Sequence, residues 1–167
     1  LQRLIAAARG EVRVDLLLRH AQVVNVFSGE IYPADVAIHD GHVVGLGAYP
    51  AVEEVDIGGS YLIPALMDGH VHLESAMVTP SEYARAVVPR GTAAVFADPH
   101  EIANVLGLEG VRSILEASAH LPLDVYVMLP SCVPATDLET AGARLGAAEL
   151  ALLLQHPRVV GLAEMMN

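Results

Sequence analysis

The chain has 167 residues, and its nine Arg, with no Lys, face twenty Asp and Glu to give a formal charge of −11. That balance argues against a nucleic-acid partner, whose affinity would come largely from cationic side chains. Mean hydropathy is high at +0.46, yet no apolar run reaches the ~18 residues of a membrane span. One cysteine, Cys132, allows no internal disulfide and suits a reducing cytoplasm.

Leu1–Ala8 reads as a short helix ended by Gly10, too short and too charged for a signal peptide. The missing initiator Met leads us to expect an upstream piece. From Val14 to Ile57 short apolar stretches alternate with turn residues. Asp15–His20, Gln22–Phe27, Asp35–His39 and His42–Leu46 are candidate strands. Asp40-Gly41 predicts a type I′ hairpin, and Ser28-Gly29 a second turn. Residues 1–62 are therefore expected to form a small antiparallel, β-sandwich-like domain with an N-terminal helix.

After Leu62 the pattern becomes strand, polar loop, helix, repeated. Apolar strands end near Gly69, Ala97, Leu129 and Ala163, roughly 30 residues apart, the length of a βα unit. The short, β-branched runs suggest parallel strands buried on both faces. Thr79-Pro80-Ser81-Glu82 is a capping box with Pro at the first helical position, and Gly91 is a stop. Glu109–Ala119 and Ala147–Gln155 have helical spacing and are followed by Pro122 and Pro157. The expected fold class is α/β, with residues 63–167 supplying the first four βα units of a (β/α)8 barrel. A whole barrel needs about 200–250 residues, so we expect a fragment or truncated product.

The candidate chemistry sits where barrel enzymes place it, after the C-terminal ends of the strands. His70 and His72 are two residues apart on an extended segment, so both rings point to one face and can share a metal ion. Glu74 follows them. Glu164 ends an almost wholly apolar strand, where a carboxylate is costly unless it binds a cation or several donors; a helix N-cap is the other role open to it. His70, His72 and Glu164 make a set suited to Zn, Fe or Mn. Asp98-Pro99-His100-Glu101 crowds three ionisable groups at one strand mouth. They could bind a second metal, orient a ligand histidine or carry protons; a solvated helix start is the plainer alternative. Cys132, beside Ser131, is expected to be a packing thiol. His20, His39, His42, His120 and His156 have no ligand-like context and are taken as structural or surface residues.

Several classes fall away. Cytidine-deaminase-type zinc enzymes need H-x-E followed by P-C-x-x-C, impossible with one cysteine. No Ser lies in G-x-S-x-G and no Gly-rich phosphate loop precedes a helix.

Five segments carry a resemblance: Pro64–Ser75, Met77–Glu82, Ala97–Gly107, Met128–Thr136 and Gly161–Asn167. Through them the chain resembles the amidohydrolase superfamily, and the later segments resemble its adenine-hydrolysing branch. The resemblance implies an amidohydrolase-type barrel and hydrolysis of a small-molecule purine, adenine, to hypoxanthine and ammonia with two divalent ions (Mn, Fe or Zn). His70 and His72 match the family's His-x-His ligands, and Glu164 matches the carboxylate that bridges two metals. Many members use a carbamylated lysine there; this chain has no lysine. Asp98, His100 and Glu101 are carried forward as candidate catalytic residues. The family draws two more metal-binding histidines and a catalytic aspartate from later strands, so this chain alone is expected to be inactive. It is expected to act as a homo-oligomer or with a missing C-terminal half. Another amidohydrolase, a deacetylase or cyclic amidase, is the alternative enzyme; a non-catalytic assembly module is the alternative of another class.

Overall fold

The computed structural model describes residues 1–166. They fall into two compact units, residues 1–64 and 65–166.

The first unit opens with α1 (Gln2–Ala8), closed by Gly10 at a φ of 70°. It continues with β1 (Val14–Asn25), β2 (Glu30–His39), β3 (His42–Leu46), β4 (Ala51–Asp56) and the two-residue β5 (Tyr61–Leu62). Asp40 and Gly41 both have positive φ, 48° and 71°, as the type I′ hairpin between β2 and β3 requires. The two expected strands 15–20 and 22–27 are one strand with a bulge. Register shifts between Leu18 and Ala21, where His20 turns to φ 58° and its N–H donates to Asp35 Oδ1 at 2.8 Å. The bulge absorbs extra residues without ending the strand.

The sheet order is β3-β2-β1-β4, with β5 also on β1. The expected antiparallel pairing holds for β1, β2 and β3, but β4 and β5 join β1 in parallel. β4 escaped the sequence reading because only Ala51 of it is buried and Glu53 and Glu54 interrupt its apolar pattern. Among the described residues of this unit there is one sheet, with no second layer facing it in the manner of a sandwich. Its core is small, built from Ala7, Val14, Leu17, Ala37 and Ala51.

The second unit is a parallel sheet in sequential order, β6 (Leu66–Val71), β7 (Thr92–Ala97), β8 (Asp124–Leu129) and β9 (Val159–Leu162). Helices α2 (Pro80–Val87), α3 (His100–Leu106), α4 (Leu108–Ala117) and α5 (Ala147–Ala151) lie between the strands in sequence. Thr79 caps α2, its Oγ1 accepting from the Glu82 N–H at 3.4 Å; a 3-10 turn then runs to Gly91 at φ 96°. In α4 the buried face is Val111, Ile114 and Leu115, at helical spacing. Gly110 lets α4 approach α3 closely: a Cβ there would stand 2.5 Å from the Ile102 carbonyl oxygen.

Val95, Val125, Val127 and Leu129 of the two central strands carry the core with Leu73 and Leu123. The expectation of strands buried on both faces holds for much of β7 and β8. It fails for β6, exposed through Leu66–His70; among the described residues β6 is an edge strand that pairs only with β7. Among the described residues no helix is long and apolar enough to cross a membrane.

Candidate metal centre

The C-terminal ends of β6, β7 and β9 bring the candidate residues to one place. β6 runs into His70 and, one residue beyond its end, His72. Their Nε2 atoms are 3.0 Å apart and their ring centroids 5.0 Å. Two residues after β9, Glu164 places Oε2 3.8 Å from His70 Nε2 and Oε1 3.7 Å from His72 Nε2. Asp98, directly after β7, joins them. One ligand atom from each of His70, His72, Asp98 and Glu164 lies within 4.8 Å of all the others.

The donor set fits a divalent cation. Two imidazoles and two carboxylates suit Zn, Fe or Mn, and N or O donors about 2.0–2.2 Å from one ion can be at most ~4.4 Å apart. The His70, His72 and Glu164 pairs, 3.0, 3.8 and 3.7 Å apart, meet that limit. Buried atoms also lack partners here. Asp98 is 1% exposed and His100 7%; Asp98 Oδ1 and both ring nitrogens of His100 make no hydrogen bond. His100 Nδ1 approaches Asp98 Oδ1 to 2.6 Å, but without hydrogen-bond alignment. Leaving such atoms unpaired is costly; a bound cation would relieve Asp98.

His72 is held from behind. Its Nδ1 lies 3.1 Å from Glu101 Oε2, while Glu101 Oε1 accepts from Ser75 Oγ at 2.9 Å. Burial would raise the Glu101 carboxyl, but its own backbone N–H, Ser75 and His72 outweigh that and hold its pKa below the usual value. Burial alone would lower His72; the Glu101 hydrogen bond and the charges of Glu101, Asp98 and Glu164 outweigh it and raise the imidazole pKa. An ionised Glu101 on Nδ1–H leaves the Nε2 lone pair facing His70 and Glu164.

Glu74 has a supporting place. Its Oε1 accepts the Ile102 N–H, in the first turn of α3, at 3.2 Å, and desolvation pushes its carboxyl pKa up. Glu164 is tied to Asp98 through its own N–H, 3.4 Å from Asp98 Oδ2.

His100 does not join the four-residue donor set; its ring centroid is 6.4 Å from that of His72. It lines an open cleft of about 410 Å³ together with His72, Glu101, Asn104, Cys132 and Glu164. Cys132 is buried, with Sγ 3.7 Å from Met165 Sδ and 3.3 Å from the Met166 N. Sequence reasoning missed Ser75 and Asn104. Asn104 lies three and four residues past Glu101 and His100, so helical periodicity through α3 carries a signal for it. Nothing in the sequence marks Ser75 as the partner of Glu101.

Sequential parallel strands with carboxylate and imidazole side chains gathered at their C-terminal ends have the layout of the opening units of a (β/α) barrel. The amidohydrolase family model matches residues 61–167, and the chain belongs to that family. Over 165 residues it is 57% identical to an adenine deaminase of Syntrophobacter fumaroxidans, covering 99% of this chain and 29% of that protein. It is 54% identical over 167 residues to an adenine deaminase of Methanothrix thermoacetophila, covering 100% and 30%. The chain thus spans under a third of the length of these relatives. The crystal structure of an adenine deaminase superposes with a TM-score of 0.68 at 19% identity, over 89% of this chain and 40% of that one. The fold is that of the opening βα units of an amidohydrolase barrel, preceded by a small β unit.

Proposed function

We propose that the protein to which this chain belongs, at the full length of its relatives, hydrolyses adenine to hypoxanthine and ammonia. The reading rests on the convergence of His70, His72, Asp98 and Glu164 within 4.8 Å. The 57% identity to a protein named adenine deaminase supports it. His70, His72 and Glu164 are the proposed ligands of two divalent ions (Mn, Fe or Zn), with Asp98 as a further donor. Such ions, when bound, would supply Lewis acidity that lowers the pKa of water toward about 7.

The reaction forms a bond between C6 of the purine and the water oxygen and breaks the C6–N bond, so the leaving nitrogen must gain a proton. His100 is the proposed carrier: it lines the cleft, is buried, and its Nε2 makes no hydrogen bond, while its Nδ1 lies 2.6 Å from Asp98 Oδ1. Glu101 has both oxygens engaged, by His72 and Ser75. Its proposed role is therefore to orient His72. Asp98 would hold the imidazole of His100 close and anchor the Glu164 backbone.

The full-length protein, supplied with Mn²⁺, Fe²⁺ or Zn²⁺, should release ammonia from adenine. His70→Ala should abolish this by removing a ligand. Glu164→Gln should do so by removing charge while keeping shape. Full-length protein that ignores adenine but opens a cyclic amide would overturn the substrate assignment.

A further inference from the structure

A second cluster of ligand-type side chains lies in the first unit, on elements with no part in the barrel. Asp15 near the start of β1, His39 at the end of β2 and Asp40 in the following turn each offer one ligand atom within 4.8 Å of the other two. His39 is the telling member. It is only 7% exposed, and its Nδ1 is buried without a hydrogen-bond partner. Asp15 Oδ1 is 3.2 Å away but out of line for a hydrogen bond. A buried imidazole nitrogen left unpaired beside two carboxylates is costly, and a cation shared among the three would pair it.

The carboxylates are already arranged. Asp15 Oδ2 accepts the Asp40 N–H at 2.8 Å, which fixes the turn against β1 and leaves Oδ1 toward His39. Arg3 Nη2 sits 3.0 Å from Asp40 Oδ1, so a positive group already rests at the cluster's exposed rim. One imidazole with two carboxylates selects for borderline metals over Mg²⁺ or Ca²⁺, which take oxygen ligands.

We propose that Asp15, His39 and Asp40 form a second divalent-metal site, suited to Zn²⁺, that staples β1 to the β2–β3 hairpin. The site is structural: three protein ligands on two strands and a turn, in a unit whose hydrophobic core is small.

The test uses chelator-stripped protein carrying His70→Ala, His72→Ala, Asp98→Asn and Glu164→Gln, so that the barrel donors named above do not contribute. Dialysed against Zn²⁺ and analysed for metal, it should retain about one equivalent. Asp15→Asn and Asp40→Asn should each weaken that binding at least tenfold, since a neutral amide is a poor ligand for the ion. Arg3→Gln should tighten it, because a competing cation is gone. Co²⁺ in place of Zn²⁺ should show d–d absorption that the same Asp variants lose. Asp40→Asn decides the matter if Asp15→Asn fails to fold, because Asn accepts the left-handed turn conformation. His20→Ala is the control and should leave the stoichiometry unchanged. Absence of Zn²⁺ binding in that four-substitution background, binding that survives Asp40→Asn, or loss on His20→Ala would each overturn the assignment. None of these outcomes depends on the barrel site or its chemistry.

Discussion

His72 presents one ring nitrogen to Glu101, 3.1 Å from Nδ1, and turns the other toward His70 and Glu164. The carboxylate fixes both tautomer and ring orientation, the usual means of preparing an imidazole ligand. Glu101→Gln keeps the shape but removes the charge. We expect divalent-metal affinity at the barrel site to fall about 10–100-fold, with little change in thermal stability of the metal-free protein. Metal titration of the two forms checks this; unchanged affinity would mean that Glu101 does not tune His72.

Glu74 explains how α3 is held beside the site. No side chain of its own N-cap, Pro99, closes that helix end; the Ile102 N–H is taken instead by Glu74 from the segment after β6. Glu74→Ala should cost about 0.5–2 kcal/mol, the range for losing a helix-capping acceptor. Urea denaturation would measure it. Hydrogen exchange should show the Ile102 amide losing protection first, and a uniform loss across the unit would point to general unfolding.

Much of this arrangement was legible in the sequence. His-x-His on a strand and an acid after an apolar strand are local patterns, and the four-fold recurrence of strand and helix placed them at one sheet edge. The side-chain cap from Thr79 and the Asp40-Gly41 turn were equally local. What escaped depends on pairing across distance. β4 reads as charged because it sits at an edge of the sheet with one buried residue. Asp15 and His39 are 24 residues apart in sequence and meet at 3.2 Å only through the β1–β2 register. His39 alone, without that register, reads as an ordinary strand-end histidine.

The bulge in β1 supplies a pH-dependent contact. His20 Nδ1 lies 3.0 Å from Asp56 Oδ1, whose carboxylate also accepts the Gly58 N–H at 2.9 Å. The Gly58 hydrogen bond first, then the one from His20, hold the Asp56 pKa below the ordinary carboxyl value of 3.8. A depressed carboxyl pKa means that the folded state binds the proton less readily than the unfolded chain. Its stabilisation is therefore fully present above about pH 3.8 and is lost as pH falls through the lower, folded-state value. Asp56→Asn should be less stable than the parent at pH 5, and the gap should close on acidification below pH 3.8. A gap independent of pH would show that the charge contributes nothing. The effect should be small, because both side chains are exposed.

Arg158, just before β9, joins three parts of the second unit. Its guanidinium donates to Ser118 Oγ at 2.8 Å, to the Leu115 carbonyl, and to the Val125 carbonyl at 3.5 Å. Leu115 and Ser118 lie at the C-terminal end of α4, where carbonyls lack helical partners and the helix dipole favours a cation. Val125 is in the central strand β8. The planar fork reaches acceptors on the helix and on the strand at once, which a lysine ammonium on a single stem does poorly. Arg158→Ala should cost about 1–3 kcal/mol, chiefly by removing charge-assisted hydrogen bonds to partly buried acceptors. Arg158→Lys should recover only part of that, although it restores the charge. Equal stability of the Lys variant and the parent in denaturant titrations would reduce the role of Arg158 to charge alone. Because β9 leads directly to Glu164, the Ala variant should also loosen metal binding at the barrel site. That loosening should vanish in a Glu164→Gln background, where the ligand charge that β9 delivers is already gone.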